Sequence, residues 1–159
     1  MAIRRVVRYG DPILRKRSRE VIEINDRILE ILDDMTETLY KENGIGIAAP
    51  QLGILKRIVV IDNGDGPIEL INPVILSAEG VQDGTEGCLS VPGQFGLVSR
   101  PSHVRIKALN RKGKRVEILG DAILARAFCH EVDHLDGKLF IDIASKIYTQ
   151  EEIDNMEGK

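Results

Sequence analysis

The sequence has few cysteines and no long apolar run. The longest β-like apolar stretch, residues 58–61, ends at Asp62 and is far shorter than the roughly 18–20 residues that cross a bilayer. The first twelve residues lack the apolar segment of a secretory signal, so we expect a cytoplasmic protein with no membrane partner. Cys88 and Cys129 could form at most one disulfide, and a cytoplasmic setting keeps thiols reduced. Metal binding or catalysis is therefore the more probable special use of either thiol.

The sequence also lacks an excess of charge of either sign. The 22 Lys and Arg residues against 25 Asp and Glu residues give a net charge of −3, so specific nucleic-acid binding is not expected. A chain of 159 residues that is 43% apolar and 30% charged is typical of one globular domain, which we expect to span residues 1–159.

The apolar spacing predicts an α+β fold. Helical spacing covers residues 26–42, after a possible cap at Asn25, and returns at residues 121–136. A polar segment over residues 145–156 predicts a peripheral terminal helix. Between the first two helices, short β-rich segments separated by turn residues predict sheet structure, and the last two segments predict an antiparallel hairpin. These segments are residues 57–62, 68–76, 85–91, 97–100, 103–109 and 115–119.

The second predicted helix carries the sequence His130-Glu131-Val132-Asp133-His134. Residues four apart share a helical face, so both imidazoles can bind one metal ion while Glu131 reaches a ligand held there. A catalytic metal site usually has three protein ligands and an open position. The third ligand therefore decides which class of site this is.

Three kinds of third ligand can be considered. The pattern Gly-x-x-His of one metallopeptidase group is excluded, because Gly137 is followed by Phe140 where a histidine is required. A downstream carboxylate could come from Glu151, Glu152 or Glu157, which lie in a polar segment. The remaining candidate is the Cys88 thiolate, a strong ligand for zinc or ferrous iron, although a single cysteine is more often a core residue.

Two further segments contain residues that could belong to the same site as the two histidines. Residues 44–51 read Gly-Ile-Gly-Ile-Ala-Ala-Pro-Gln, in which small residues allow close backbone approach and Gln51 offers an amide donor. Residues 86–90 read Glu-Gly-Cys-Leu-Ser. Together with residues 130–134, and in this order, they resemble the three motifs of the peptide deformylase family. The resemblance extends over nearly the whole chain, from residues 9–15 to residues 135–140.

The resemblance implies a fold, an activity and a set of site residues. The implied fold consists of antiparallel β-sheets wrapped around a central metal-binding helix, with one helix N-terminal and one C-terminal to it. The implied activity is the metal-dependent removal of the formyl group from the formyl-methionine of new polypeptides, with release of formate. Cys88, His130 and His134 would hold one divalent ion, usually Fe²⁺, with Zn²⁺ or Ni²⁺ also able to occupy the site.

The remaining roles follow from the same resemblance. Glu131 would be the general acid and base, while the Gln51 amide and the Leu89 backbone N–H would face the developing oxyanion. A slot for the methionine side chain would be lined by Ile45, Gly46, Gly87, Ile123 and Ala127. Two positions depart from the family pattern: Cys129 stands where many members have Gln, and Phe95 stands where some members have a basic residue at the substrate cleft.

Two alternative functions remain open at this stage. A zincin-type metallopeptidase would place a carboxylate from residues 151–157 beside the histidines, and a non-catalytic metal-stabilised binding module would have a closed site with four ligands. Formylated nascent polypeptides are the implied partners. The basic residues near the N-terminus form either a solvated face or a contact with the ribosome surface: Arg4, Arg5, Arg15, Lys16 and Arg17. Asp133 and Arg100 are either a buried pair or two solvent-facing charges.

Overall fold

The computed structural model of the protein describes residues 2–158, so the terminal residues 1 and 159 of the predicted domain lie outside it. Three α-helices and eight strands lie within this range. The helices are α1 (Asp26–Lys41), α2 (Ala122–Leu135) and α3 (Gln150–Met156). The strands are β1 (Gly46–Ala48), β2 (Ile58–Ile61), β3 (Ile68–Glu79), β4 (Gln82–Cys88), β5 (Val91–Arg100), β6 (His103–Leu109), β7 (Arg115–Asp121) and β8 (Lys146–Thr149).

The strands form two antiparallel sheets. The larger sheet has the order β1-β2-β3-β6-β7, and the smaller has the order β4-β5-β8. The predicted hairpin is confirmed, because β6 pairs with β7 from His103 opposite Asp121 to Leu109 opposite Arg115. Every strand pair in both sheets is antiparallel, and β3 to β7 follow one another without an intervening helix, so the α+β class is confirmed.

Helix α2 is central because both its apolar face and the face that carries His130, Glu131 and His134 are buried. Ala125, Phe128 and Leu135 are fully buried and belong to a cluster with residues of the larger sheet, among them Val59 and Val104. Helix α1 instead packs one apolar face, from Ile28 to Leu39, against a second cluster. Its first turn is capped as predicted, since the Asn25 side chain accepts a hydrogen bond of 3.1 Å from the Ile28 N–H.

Several predicted boundaries are wrong. Residues 85–91 are not one strand, because Leu89 and Ser90 form the turn between β4 and β5. Residues 97–100 are only the end of β5, and the predicted strand over residues 68–76 extends to Glu79. Residues 145–156 are not one helix, because residues 146–149 form β8, which adds an edge to β5 before α3 begins.

No helix within residues 2–158 has both the length and the apolar character that a membrane span requires.

Candidate metal centre and active site

Three separate parts of the chain converge on the second half of α2. Cys88 is the last residue of β4, and Gln51 lies in a short 3₁₀ turn, residues 49–52, directly after β1. His130, Glu131 and His134 lie on α2 and are all buried. Helix α2 contacts β1 and the 3₁₀ turn, and Cys88 touches His134, so the motifs at residues 44–51, 86–90 and 130–134 meet around one helix.

The Cys88 sulfur and one ring nitrogen from each of His130 and His134 lie within 4.8 Å of one another. The Sγ atom is 3.3 Å from Nε2 of His134. Bonds from zinc to nitrogen and sulfur are about 2.0–2.3 Å long, so one ion fits between these three atoms. In residues 2–158, this group contains Cys88 and none of the carboxylates Glu151, Glu152 and Glu157.

The protonation of the two histidines also fits metal binding. Burial and the neighbouring His130 hold the pKa of His134 well below its ordinary value, which leaves the neutral imidazole that a metal needs. Burial lowers the pKa of His130, but the negative groups of Glu131, Cys88 and Glu86 outweigh burial and raise the pKa well above its ordinary value. A cation held by the ring nitrogen of His130 would take the place of that proton among these acidic neighbours. The donor set fits a divalent transition metal.

Glu131 is buried at the edge of this group. Its Oε2 atom is 4.0 Å from Nε2 of His130, and its Oε1 atom has no hydrogen-bond partner among the described residues. Burial, with the charge of Glu86 adding to it, raises the pKa of Glu131 to about 7 against the opposing effect of His130. The Glu131 carboxylate fits here because residue 46 is a glycine, since a Cβ atom at that position would lie 2.6 Å from Oε2. This carboxyl group is placed to exchange a proton with a molecule beside the metal group.

The Gln51 side chain is held by three groups. Its Oε1 atom accepts a hydrogen bond of 2.9 Å from the Ala48 N–H. Its amide nitrogen donates to Ser90 Oγ at 3.1 Å and to Cys88 Sγ at 3.5 Å. Leu89 lies in the turn that follows Cys88. The amide is therefore fixed beside the predicted third metal ligand.

A network of charges surrounds the outer nitrogen of His130. Nδ1 donates to Glu86 Oε1 at 2.8 Å, and Glu86 also accepts two hydrogen bonds from Arg100, of 2.8 and 2.9 Å. Burial raises the pKa of Glu86, but the bonds from Arg100 and His130 outweigh burial and lower the pKa to about 2. Arg100 also donates to Asp133 at 2.8 Å, so these two residues form a pair rather than separate solvent-facing charges.

Arg126 also belongs to this network, because its Nη1 atom donates to Glu86 Oε2 at 2.8 Å. The sequence motifs assign no role to Glu86 and do not include Arg126. A weak signal existed for Arg126, which lies on an otherwise apolar stretch of helix four residues before His130. Spacing of four residues places it on the same helical face as that histidine.

A cavity of about 790 Å³ opens beside the metal group. All five residues predicted for the methionine slot line it, and so do Cys88, Leu89, Gln51, His130 and Glu131. Phe95 lines the same cavity, and a Cβ atom at Gly87 would lie 2.9 Å from its ring. Ile45 and Ile123 lie at the rim, with exposed fractions of 48% and 60%. Apolar surface in the cavity is thus available to a ligand.

Comparison with known proteins gives a consistent family assignment. The family model described as "Polypeptide deformylase" matches residues 3–150. A peptide deformylase of Caldanaerobacter subterraneus is 52% identical over 157 residues, which cover 99% of each chain. A peptide deformylase of Alkaliphilus metalliredigens is 57% identical over 142 residues, which cover 89% of this chain and 97% of that protein.

Solved structures agree with these sequence matches. The crystal structure of peptide deformylase from Thermotoga maritima superposes with a TM-score of 0.89 at 39% identity, covering 92% of this chain and 100% of that one. The peptide deformylase from Legionella pneumophila superposes with a TM-score of 0.87 at 36% identity, covering 99% of this chain and 96% of that one. The similarity in sequence and fold shows that the chain belongs to the polypeptide deformylase family.

Proposed function

We propose that this enzyme removes the formyl group from the N-terminal formyl-methionine of new polypeptides and releases formate. The observation that carries the proposal is the meeting of Cys88, His130 and His134 beside the buried Glu131 at the inner end of a partly apolar cavity. The matching relatives, which are named peptide deformylase, support the same reaction.

The Cys88 sulfur and one nitrogen of each histidine would hold one divalent metal ion. Such an ion polarises a carbonyl group and lowers the pKa of a bound water to about 7. Three protein ligands leave a further position open, as a catalytic site requires and a closed structural site does not. The donor set therefore favours catalysis over the metal-stabilised binding module.

Glu131 is proposed to carry the proton through the reaction. Its buried carboxylate accepts a proton from the attacking water and then gives that proton to the leaving amine of methionine. The backbone N–H of Leu89 donates a hydrogen bond to the oxyanion that develops on the formyl oxygen. The Gln51 amide does the same, and for this it exchanges its long contact of 3.5 Å with Cys88 Sγ for the oxyanion. One such donor is commonly worth about 3–4 kcal/mol in the transition state.

We propose Fe²⁺ as the ion in the cell, with Zn²⁺ or Ni²⁺ able to replace it. A thiolate with two imidazoles suits all three ions, so affinity alone does not choose between them. Zinc has no redox chemistry, whereas ferrous iron and its thiolate ligand can be oxidised. Anaerobic purification followed by elemental analysis identifies the ion, and exposure to air should inactivate the iron-loaded enzyme but leave the zinc-loaded enzyme active.

The proposed partners are nascent chains at the ribosome, which implies a cytoplasmic location. Arg4 and Arg15 are paired with Asp34 and Asp142, whereas Lys16 and Arg17 are exposed with no ion pair among the described residues. The double substitution Lys16→Glu, Arg17→Glu should reduce co-sedimentation with ribosomes but not formate release from a free peptide. Lys114→Glu, in the exposed β6–β7 turn, is the control.

The decisive experiment measures formate release from a formyl-methionyl peptide and from its unformylated counterpart. The proposal expects formate from the first peptide only, with the peptide otherwise intact by mass spectrometry. Internal fragments from the unformylated peptide would support the metallopeptidase instead. A metal-loaded protein that alters neither peptide would support the binding module.

A further inference from the structure

Arg126 joins helix α2 to the smaller sheet at the wall of the cavity. Its side chain is only 13% exposed, although the residue lines the cavity. One guanidinium nitrogen donates to the Val98 carbonyl of β5 at 3.0 Å, and the other lies 3.4 Å from the Gln82 carbonyl of β4. A Cβ atom at Gly84 would lie 3.0 Å from the guanidinium, so the group packs directly on the β4 backbone. The guanidinium therefore faces protein rather than substrate.

The same guanidinium reaches the carboxylate that orients a predicted metal ligand. Arg126 Nη1 donates to Glu86 Oε2 at 2.8 Å, while Glu86 Oε1 accepts from His130 Nδ1 at 2.8 Å. Glu86 is 3% exposed, and each of its oxygen atoms also accepts a hydrogen bond from Arg100. Arg100 approaches from the end of β5, whereas Arg126 approaches from α2 itself. Two guanidinium groups thus fix the carboxylate from two directions.

We propose that Arg126 is a positioning residue for the His130 imidazole and acts on it through Glu86. The hydrogen bond from Nδ1 to Glu86 determines that Nε2 is the nitrogen left for a metal. Arg126 and His130 lie one turn apart on α2, so the helix carries both the ligand and a residue that restrains the ligand's partner.

The inference rests on the proposed metal site, and its test measures metal affinity rather than turnover. Metal-free protein is titrated with Zn²⁺ against a chromogenic chelator. Arg126→Met, which replaces the aliphatic stem but loses the guanidinium with its charge and donors, should bind Zn²⁺ about tenfold more weakly, near the lower end of the effect of outer-shell partners. Arg126→Lys should fall between Arg126→Met and the unsubstituted protein. Arg105→Met is the matched control, since Arg105 is exposed on β6 and should leave the affinity unchanged.

A double-mutant cycle tests whether Arg126 acts through Glu86. Glu86→Gln alone should weaken Zn²⁺ binding by about 10–100-fold, and adding Arg126→Met to it should change the affinity by less than about twofold. In the zinc-loaded Arg126→Met protein, the His130 Nδ1–H signal in histidine nitrogen NMR should also exchange faster with water. If Glu86→Gln does not fold, the inference is tested by this NMR signal and by the Zn²⁺ affinity of Arg126→Lys.

Two results would overturn the inference. One is an unchanged Zn²⁺ affinity in Arg126→Met with only a lower melting temperature, which indicates a purely structural role. The other is an equal loss of affinity with and without Glu86→Gln, which indicates that Arg126 acts by another route. If the unsubstituted protein binds Zn²⁺ but releases no formate, the proposed function fails while this inference stands.

Discussion

At the scale of single residues, the three side chains of the metal group differ in what holds them. His130 is fixed by its hydrogen bond to Glu86, and Cys88 ends a strand and contacts the Gln51 amide. His134 has no hydrogen-bond partner for Nδ1 among residues 2–158, so the buried packing of α2 holds it. Cys88 is also the one member of the metal group that α2 does not supply. Cys88 therefore decides whether a pair of histidines becomes a three-ligand site.

Replacing Cys88 by Ala should remove both the metal and the activity, because two imidazoles alone bind a divalent ion weakly. We expect purified Cys88→Ala to contain far less than one metal ion per chain by elemental analysis. Cys129→Ala is the matched control, because Cys129 lies outside the metal group and should leave the metal content intact. Full metal content in Cys88→Ala would exclude the thiol as a ligand.

Gly46→Ala should separate catalysis from metal binding. The added methyl group would lie 2.6 Å from Oε2 of Glu131 and 3.0 Å from two carbon atoms of the same side chain, so the carboxylate must move. A displacement of about 1 Å can cost about 100-fold in rate, and we expect kcat to fall by this order. The metal content should stay near that of the unsubstituted protein, because the three atoms nearest to the added methyl group all belong to Glu131. Unchanged turnover would contradict Glu131 as the proton carrier.

At the scale of secondary structure, sequence periodicity predicted the long elements and failed on the short ones. Helices α1 and α2 each bury a regular apolar face, so the spacing of their apolar residues was sufficient to predict both helices. Strand β1 has only three residues, and its position depends on pairing with β2, which no local pattern shows. Strand β8 is mostly exposed and has no buried apolar face that would mark it in the sequence. It is a strand because it pairs with the edge of β5.

The same distinction applies to the site. The motifs identified Cys88, His130, His134 and Glu131, because each motif is a local pattern of reactive residues. The network behind them was not predictable, because Arg126 meets Glu86 across 40 positions of sequence. Only the folded arrangement of α2 against β4 and β5 brings these charges together.

The contact between the N-terminal segment and α1 predicts a stability that depends on pH. Asp34 of α1 is 1% exposed, and it accepts hydrogen bonds from the Ala2 N–H at 2.6 Å and from Arg4 at 2.8 Å. Burial raises the pKa of Asp34, but these hydrogen bonds outweigh burial and hold the pKa below its ordinary value. The ionised carboxylate therefore stabilises the fold above the unfolded-state pKa of about 3.9, and this stabilisation is lost as the pH falls through the lowered native pKa.

Asp34→Asn should accordingly lower the free energy of unfolding by about 2 kcal/mol at pH 7, the scale of hydrogen bonds to charged groups. The difference from the unsubstituted protein should shrink below about pH 4. Urea unfolding at several pH values measures both effects. Asp33→Asn is the control, because Asp33 is 35% exposed in its pair with Arg111 and should change stability by less than about 1 kcal/mol. A difference that does not depend on pH would contradict the role of the Asp34 charge.

At the scale of the whole molecule, the two sheets and α2 build one cavity from distant parts of the chain. The larger sheet contributes Gly46 through β1, the smaller sheet contributes Gly87 and Phe95, and α2 contributes Ile123 and Ala127. The metal group lies at one end of this cavity, and the half-exposed Ile45 and Ile123 lie at its rim. A ligand that presents a carbonyl to the metal group can therefore place an apolar side chain against these walls.

This arrangement predicts the choice of substrate. Shortening the first side chain from formyl-methionine to formyl-alanine removes apolar surface from the cavity, so kcat/KM should fall by an amount equivalent to about 2–3 kcal/mol. Formyl-norleucine is the matched control, because it keeps the unbranched apolar chain and should react nearly as well as formyl-methionine. Formate release from peptides that differ only at this residue measures the effect. Equal kcat/KM for the alanine and methionine peptides would show that the cavity walls do not hold the first side chain, whatever reaction the metal group performs.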